Sequence, residues 1–175
     1  MKISSNFLIN DLPEREVTVR NFAGRRNESF SLDVRSFKVA IPKWGNAADD
    51  EYLASYLKAN FPVKFELVDP QAEEKELRQA GFVTILRFVH TRGGFAKELL
   101  GYDLSQVSNA INSVTYVNGQ QQIKTLATDQ MIYKFYFKHL DTSNAYLGIQ
   151  WDADLTWQDA LRNHVEALKS ALRLN

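Results

Sequence analysis

The chain has 175 residues, of which 45% are hydrophobic and 24% are charged, values typical of one globular domain. It contains no cysteine, which excludes disulfide bonds, thiolate zinc sites and thiol nucleophiles. Its 21 basic and 21 acidic residues cancel, so the molecule as a whole has no long-range attraction for a polyanion.

The amino-terminal ten residues lack the continuous apolar core of a secretory signal peptide, because polar side chains interrupt each short apolar run. The longest apolar stretch, residues 82–89, contains Thr84 and Arg87 and is too short to span a bilayer. We therefore expect a soluble, cytoplasmic protein that makes no membrane contact, with residues 1–175 forming one domain.

The first elements are a predicted hairpin and a helix. Apolar and polar residues alternate over 15–22 and again over 29–41, which predicts two strands joined by a tip that carries Arg25 and Arg26. Asn46 then provides a helix N-cap, followed by two aspartates in the first turn, where the helix dipole favours negative charge.

The middle of the chain alternates between strands and short helices. Residues 63–67 alternate as a strand, and Asp69-Pro70 is a helix-start pair whose helix ends at Gly81. Residues 82–90 are apolar at most positions, as expected of a central strand covered on both faces. Residues 95–112 are predicted to contain one or two short helices.

Two antiparallel ribbons are predicted in the last third. Asn118-Gly119 tolerates positive φ at both positions and separates the alternating runs 113–117 and 120–126, which is a strong hairpin signal. Residues 131–139 and 146–151 form the second ribbon. In its first strand, alternate residues are predicted to face the core: Tyr133, Phe135 and Phe137. The other alternate residues are predicted to be at least partly solvent-exposed: Ile132, Lys134, Tyr136 and Lys138. Leu147, Ile149 and Trp151 are expected to join the core.

Residues 155–174 predict one long amphipathic helix that begins with the capping pair Thr156 and Asp159. Its apolar stripe is Trp157, Leu161, Val165, Leu168 and Leu172, and this stripe is expected to lie across the sheet. Together these elements predict an α+β fold: a mainly antiparallel twisted sheet of six to eight strands, with helices packed on one side, including the C-terminal helix.

Catalytic and metal-binding patterns are weak. The three histidines, His90, His139 and His164, have no partner at metal-ligand spacing, and His164 falls inside the apolar stripe of the last helix, where a structural role is the simpler interpretation. Asp152 and Asp154 resemble a metal-binding carboxylate pair, but entry into the last helix also explains them. We therefore expect no catalytic or metal residue and no cofactor, although motif absence alone does not exclude an enzyme.

Two segments, 20–27 and 87–97, mix basic, aromatic and glycine residues. Guanidinium groups beside a stacking aromatic ring suit phosphate and base recognition. The sequence therefore offers one functional alternative, a nucleic-acid-binding accessory protein that uses these basic loops. The same basic residues are candidates for contact with a protein partner: Arg20, Arg25, Arg26, Arg92 and Lys97.

The leading hypothesis is a non-enzymatic interaction or assembly subunit that binds other protein subunits or a second copy of itself. Sheet edges and aromatic side chains at Trp44, Tyr102 and Tyr136 are the predicted contacts. A second alternative is a small-molecule carrier with a cavity between the sheet and the C-terminal helix.

Overall fold

The computed structural model describes residues 8–9, 26–27, 30, 32–102 and 109–173. These residues form nine strands, which in chain order are β1 (Leu8–Ile9), β2 (Arg26–Asn27), β3 (Val39–Pro42), β4 (Phe65–Val68), β5 (Thr84–Arg92), β6 (Ala110–Val117), β7 (Gln120–Ala127), β8 (Met131–His139) and β9 (Ala145–Tyr146). The helices of the same residues are α1 (Ala47–Asn60), α2 (Glu74–Gln79), α3 (Gly93–Leu99) and α4 (Trp157–Arg173), and a short 3-10 helix spans Leu32–Arg35.

Seven of these strands form one sheet in the order β2-β9-β8-β5-β3-β4, with β1 also paired to β5. The central ladder is antiparallel and joins β5 to β8 over nine residue pairs, from Thr84 opposite His139 to Arg92 opposite Met131. Strand β3 is parallel to both β4 and β5. Strands β6 and β7 form a separate antiparallel ribbon, so the predicted α+β class is confirmed.

Both faces of the central ladder are covered. On one face the apolar side chains of β5 and β8 pack against α1 and the stripe of α4, which confirms the predicted position of the C-terminal helix; this cluster includes Leu53, Leu57, Leu86, Phe88, Phe135, Phe137, Leu161 and Leu168. The opposite face packs against α2, α3 and the β6–β7 ribbon; its members include Ala40, Leu77, Ile85, Val89, Leu99, Ile111, Leu126, Ile132 and Tyr136. The prediction that the helices pack on one side of the sheet therefore holds for α1 and α4 but not for α2 and α3, which lie on the other face.

The face of β8 that was predicted to be partly solvent-exposed is instead buried. Ile132, Lys134 and Tyr136 are almost completely buried. The apolar cluster that includes α3 and the β6–β7 ribbon covers Ile132 and Tyr136, and Lys134 contacts Leu147, Asp152 and His164. Tyr136 has no exposed surface and is therefore not an exposed interface aromatic.

The predicted core of Phe135, Phe137, Trp151, Leu161 and Leu168 is buried at all five positions. Trp151 is nevertheless in the cluster on the opposite face from the other four, so the five do not form one contact group. Ile149 is 70% exposed instead of buried, because the chain leaves the sheet after β9 and does not continue as a strand to residue 151.

Local signals at element ends agree with the structure. The Asn46 side chain accepts a hydrogen bond from the Asp49 backbone N–H at 2.9 Å, and Thr156 Oγ1 accepts one from Asp159 N–H at 3.2 Å. Asn118 and Gly119 both have positive φ, 52° and 77°, as the predicted tight turn requires.

Two predicted boundaries were wrong. In the predicted strand 29–41, the part over Leu32–Arg35 is a 3-10 helix, and β3 begins only at Val39. The helix expected to start at Asp69-Pro70 begins at Glu74, where the Glu73 side chain accepts from the backbone N–H of Glu76 and the Glu76 side chain accepts from that of Glu73. The predicted strand 15–22 lies outside the described residues.

None of the helices in the described ranges is long and apolar enough to cross a membrane.

Candidate functional site

The segment Asp152-Ala153-Asp154 joins the main sheet to the β6–β7 ribbon. Tyr133 N–H of β8 donates to the carbonyl oxygen of Asp154 at 2.8 Å, and Val114 N–H of β6 donates to that of Trp151 at 2.7 Å. Helix α4 closes the junction from a third direction. The two aspartate side chains are therefore held between three elements that are distant in sequence.

Asp152 is the centre of a buried charged cluster. Lys134 Nζ lies 2.7 Å from its Oδ1, and His164 Nδ1 lies 2.8 Å from its Oδ2. All three side chains are at most 2% exposed. Lys134 Nζ also donates to the carbonyl oxygens of Phe135 and Leu147, both at 2.7 Å, so its ammonium group is saturated by acceptors.

The charge states of this cluster follow from burial and pairing. Burial lowers the pKa of Lys134, and Asp152 opposes that change. Burial alone would raise the pKa of Asp152, but Lys134 and His164 outweigh it and hold that pKa below its usual range. Burial and then the adjacent Lys134 charge lower the pKa of His164. A neutral His164 donates from Nδ1 to Asp152, and its Nε2 then has a lone pair with no hydrogen-bond partner in the described ranges.

Asp154 holds a second ion pair on the ribbon side of the junction. Its Oδ1 lies 2.7 Å from Lys124 Nζ of β7 and also accepts a hydrogen bond from the Leu155 backbone N–H at 2.8 Å. Its Oδ2 accepts a hydrogen bond from Asn163 Nδ2 at 3.1 Å. Asn163 Oδ1 in turn accepts from the Tyr116 backbone N–H at 3.1 Å. These contacts anchor the inner strand of the ribbon, β6, to α4.

A cavity of about 140 Å³ lies between the ribbon, the loop that precedes Asp152, and α4. Asp152 is the charged residue in its lining, which comprises Phe30, Val114, Tyr116, Gln121, Ile149, Gln150, Asp152, Ala167, Ser170 and Ala171. The cavity is smaller than the roughly 300–1,000 Å³ of most ligand pockets. Its volume is close to that of the engineered apolar cavity of about 150 Å³ that admits benzene.

The outer edge of β7 exposes backbone hydrogen-bonding groups. Because Val117 and Gln120 close the two-residue turn, antiparallel alternation directs the N–H and C=O groups of Gln121, Ile123, Thr125 and Ala127 away from β6. Ala127 agrees with this assignment, since its N–H donates to Gln130 Oε1 at 2.8 Å instead of to β6. In the part of the chain that the structure describes, no strand pairs with this edge.

Two isoleucines near the ribbon are highly exposed. Ile123 is 64% exposed and Ile149 is 70% exposed. Ile123 shares its face of the ribbon with Gln121, whose side chain hydrogen-bonds to that of Gln150, the residue after Ile149. We call the outer edge of β7 together with the Ile123 side chain the β7 surface.

The structure describes only two of the four predicted contact arginines, and the contacts themselves stay a prediction. Arg20 and Arg25 lie outside the described residues. Arg26 in β2 pairs with Ala145, which pairs with Lys138 of β8, whereas Arg92 pairs with Met131 at the other end of β8.

Lys97, Tyr102 and Trp44 are half-buried in local aromatic contacts. Lys97 Nζ lies 5.6 Å from the Tyr102 ring centroid and 5.3 Å from that of Trp151, and burial lowers the pKa of Lys97. Trp44 packs against Phe88 and Trp157 with centroid distances of 5.0 and 4.9 Å. Their partners are within the chain, and whether they also contact another molecule stays a prediction.

An open groove of about 910 Å³ lies where the 3-10 helix, the segment 60–65 and the end of α4 meet. Four basic residues line it: Arg35, Lys38, Lys64 and Lys169. Arg35 donates to the carbonyl oxygen of Leu172, and Lys38 and Lys169 pair with Glu66 and Glu166. Most of its positive charge is therefore engaged within the chain.

Sequence reasoning missed Lys134 and the junction. Alternation places Lys134 on a partly exposed face, and helix entry explains Asp152 and Asp154, because neither local pattern shows which distant segments pack over β8. One signal was present: Lys134 lies between apolar residues in a strand where most neighbours are aromatic or aliphatic.

The chain matches no protein-family model, no curated protein and no solved structure. Across the described ranges, no group of three or more histidine, aspartate or glutamate side chains is arranged to hold a metal ion.

Proposed function

We propose that the protein is a non-catalytic interaction module that binds another protein chain through the β7 surface. The observation that carries this proposal is the outer edge of β7, where Gln121, Ile123 and Thr125 direct their backbone N–H and C=O groups toward solvent. An extended segment of a partner can satisfy these groups by adding a strand to the ribbon.

The composition of β7 supports this proposal. Natural proteins block exposed sheet edges with short strands, prolines, bulges or charged side chains. Strand β7 is eight residues long and contains no proline, and its one charged residue, Lys124, is held by Asp154. Strand β7 itself therefore lacks these forms of protection against pairing.

Ile123 supplies an apolar contact beside the backbone edge. Its side chain is 64% exposed. Gln121, two residues earlier in β7, places a polar side chain on the same face of the ribbon. An apolar centre with a polar rim is the usual arrangement of a protein–protein contact.

The test removes one outward N–H without changing the inner ladder. Ile123→Pro deletes the outward N–H of β7, whereas Gln122 and Lys124 retain the bonds to β6; Ile123→Ala deletes most of the side chain but keeps the N–H. Each protein serves as bait in cross-linking capture from its native host, after thermal melting confirms folding. We expect a specific partner that Ile123→Ala retains and Ile123→Pro loses.

The captured partner is then purified and mixed with the protein for hydrogen-exchange measurement. Strand addition predicts slower exchange at the amides of Gln121, Ile123 and Thr125 but not at their inward-facing neighbours. If no captured protein distinguishes the two Ile123 variants, or if these amides are unchanged in the complex, the proposal is wrong.

A second candidate function is small-molecule binding, and the cavity of about 140 Å³ beside Asp152 favours it. The ligand would be about the size of one ring, with an apolar body and a polar group that reaches the Asp152 end. Fragment screening by ligand-observed NMR tests this, with Ala167→Leu as the variant that fills the cavity. Binding that survives Ala167→Leu would contradict this assignment.

A further inference from the structure

We infer that the cavity beside Asp152 binds a neutral, single-ring compound whose polar group donates a hydrogen bond to the Asp152 carboxylate. This inference rests on the second candidate function, small-molecule binding, and names the class of ligand. Phenol is the simplest member of this class.

The cavity has a buried end and an exposed end. At the buried end, Val114 is 8% exposed and Asp152 is 2% exposed. At the other end, Ile149, Gln150 and Ser170 are exposed. A ligand that enters from solvent therefore passes Ile149 first and reaches Asp152 last.

The walls of the cavity suit a ring. Its apolar lining consists of Phe30, Val114, Ile149, Ala167 and Ala171. The volume of about 140 Å³ is close to that of the engineered cavity that admits benzene. Because Ile149 is 70% exposed, a ring in the cavity would also cover part of an apolar side chain that is otherwise in water.

Asp152 offers an acceptor and no donor. Burial alone would raise its pKa, but Lys134 and His164 hold that pKa below its usual range, so the carboxyl is ionised at neutral pH. Its Oδ2 accepts a hydrogen bond from His164. Its Oδ1 receives no hydrogen bond in the described ranges, although Lys134 Nζ lies 2.7 Å away. A ligand group that reaches Oδ1 therefore has to be a hydrogen-bond donor.

The charges around the cavity favour a neutral ligand. The charge of Asp152 reaches the cavity, since burial and then this charge raise the pKa of Tyr116, another lining residue. An anionic ligand would be repelled by this carboxylate. A cationic ligand would place a second positive charge near the buried Lys134 ammonium, which already balances Asp152. A neutral donor gains the hydrogen bond without burying an unbalanced charge.

The test compares single-ring probes that differ in their polar group. Phenol, benzonitrile, toluene, benzoate and benzylammonium are each titrated into the unmodified protein and followed by ligand-observed NMR. Benzonitrile is about as polar as phenol but has only an acceptor. We expect phenol to bind at least about tenfold more tightly than benzonitrile, because a hydrogen bond to a charged acceptor contributes that much. Benzoate and benzylammonium should bind more weakly than phenol.

Two variants separate the cavity from the acceptor. Ala167→Leu fills the cavity and should weaken phenol and toluene alike. Ala47→Leu adds the same side chain at an exposed position of α1 outside the lining, so it is the matched control and should leave both affinities unchanged. The double variant Lys134→Met with Asp152→Leu removes the acceptor, so it should lose the preference for phenol over benzonitrile and still bind toluene.

The contrary results are distinct. The inference is wrong if benzonitrile, benzoate or benzylammonium binds the unmodified protein as tightly as phenol, a comparison that needs no variant to fold. A preference for phenol that survives in the folded double variant also overturns it. In either case, binding that Ala167→Leu weakens would still support the cavity as a small-molecule site. If no probe binds, the inference and the second candidate function both fail, and the Ile123 capture experiment still decides the first.

Discussion

The two lysine–aspartate pairs at the junction have the same length and different surroundings. Lys134 pairs with Asp152 and Lys124 pairs with Asp154, both at 2.7 Å, through aspartates two residues apart. The Lys134 side chain is 0% exposed and that of Lys124 is 39% exposed. One pair lies inside the junction, and the other joins it to the ribbon that carries the β7 surface.

The comparison shows that distance alone does not determine what an ion pair contributes. Inside the protein, desolvation costs several kcal/mol for each ion, so the pair is tolerated only with further hydrogen bonds, which Phe135 and Leu147 provide to Lys134. In the outer pair only Lys124 is partly exposed, whereas Asp154 is 1% exposed and is held by other donors, the Leu155 N–H and Asn163 Nδ2. The inner pair should therefore be sensitive to removal of either partner, whereas removal of Lys124 from the outer pair should cost less, because water screens its charge and Asp154 keeps those donors.

The largest expected effect is at Asp152. Asp152→Ala leaves the Lys134 ammonium buried without its counter-ion, and we expect the free energy of unfolding to fall by about 3–5 kcal/mol in urea titration. The double variant Lys134→Met with Asp152→Leu removes both charges and should recover much of that loss. A single variant that costs less than about 1 kcal/mol would contradict a buried pair of this kind.

A buried apolar residue of α4 provides a reference value for this loss of stability. Leu161 is completely buried between α4 and the sheet, and Leu161→Ala should cost about 2–5 kcal/mol through lost contacts and the cavity left behind. Ile149→Ala, at an exposed position, is the control and should change the unfolding free energy by no more than about 0.5 kcal/mol. Equal effects at the two positions would contradict the assigned packing of α4.

Acid should weaken the inner pair through His164. Its folded-state pKa is below the unfolded value of about 6.5, so its stabilising contribution is complete above that pH and is lost as pH falls toward the folded pKa. The unfolding free energy should fall by up to about 1.4 kcal/mol per pH unit below pH 6.5. Protonation of Asp152 lowers the unfolding free energy further only at a more acidic pH, because the folded-state pKa of Asp152 lies below the ordinary carboxyl range.

Urea titration at several pH values measures this slope. His164→Gln should remove the slope that begins below about pH 6.5, whereas Leu161→Ala, which is destabilised without losing a titratable group, should keep it. An unchanged slope in His164→Gln would show that another group produces the acid sensitivity.

The smallest effect is expected at the outer pair. Lys124→Met should cost about 0–1 kcal/mol, because the lysine is partly exposed and Asp154 retains the donors of Leu155 and Asn163. The same urea titration measures it beside Asp152→Ala. Equal losses in these two variants would remove the distinction between the pairs.

Local sequence signals predicted the elements whose geometry depends on neighbouring residues. Asn118-Gly119 specified a turn with two positive φ angles, Asn46 specified a helix cap, and the 3.6-residue stripe of α4 specified its buried face. Each signal acts within a few residues, so the amino-acid sequence alone determined it.

The tertiary structure decided which faces and edges are covered. Alternation in β8 identified two faces, but only the packing of distant segments buried Tyr136 against α3 and the ribbon, and Lys134 against Leu147, Asp152 and His164. The same limit applies to Ile149, whose exposure depends on where the chain leaves the sheet.

The sequence by itself therefore determined the α+β class, the tight turn and the amphipathic helix. Only the fold brought Lys134, Asp152 and His164 together and left the outer edge of β7 without a paired strand among the described residues. The physical reason is range: propensity and periodicity are short-range properties of a segment, whereas burial, ion pairing and edge coverage depend on segments that are distant in sequence.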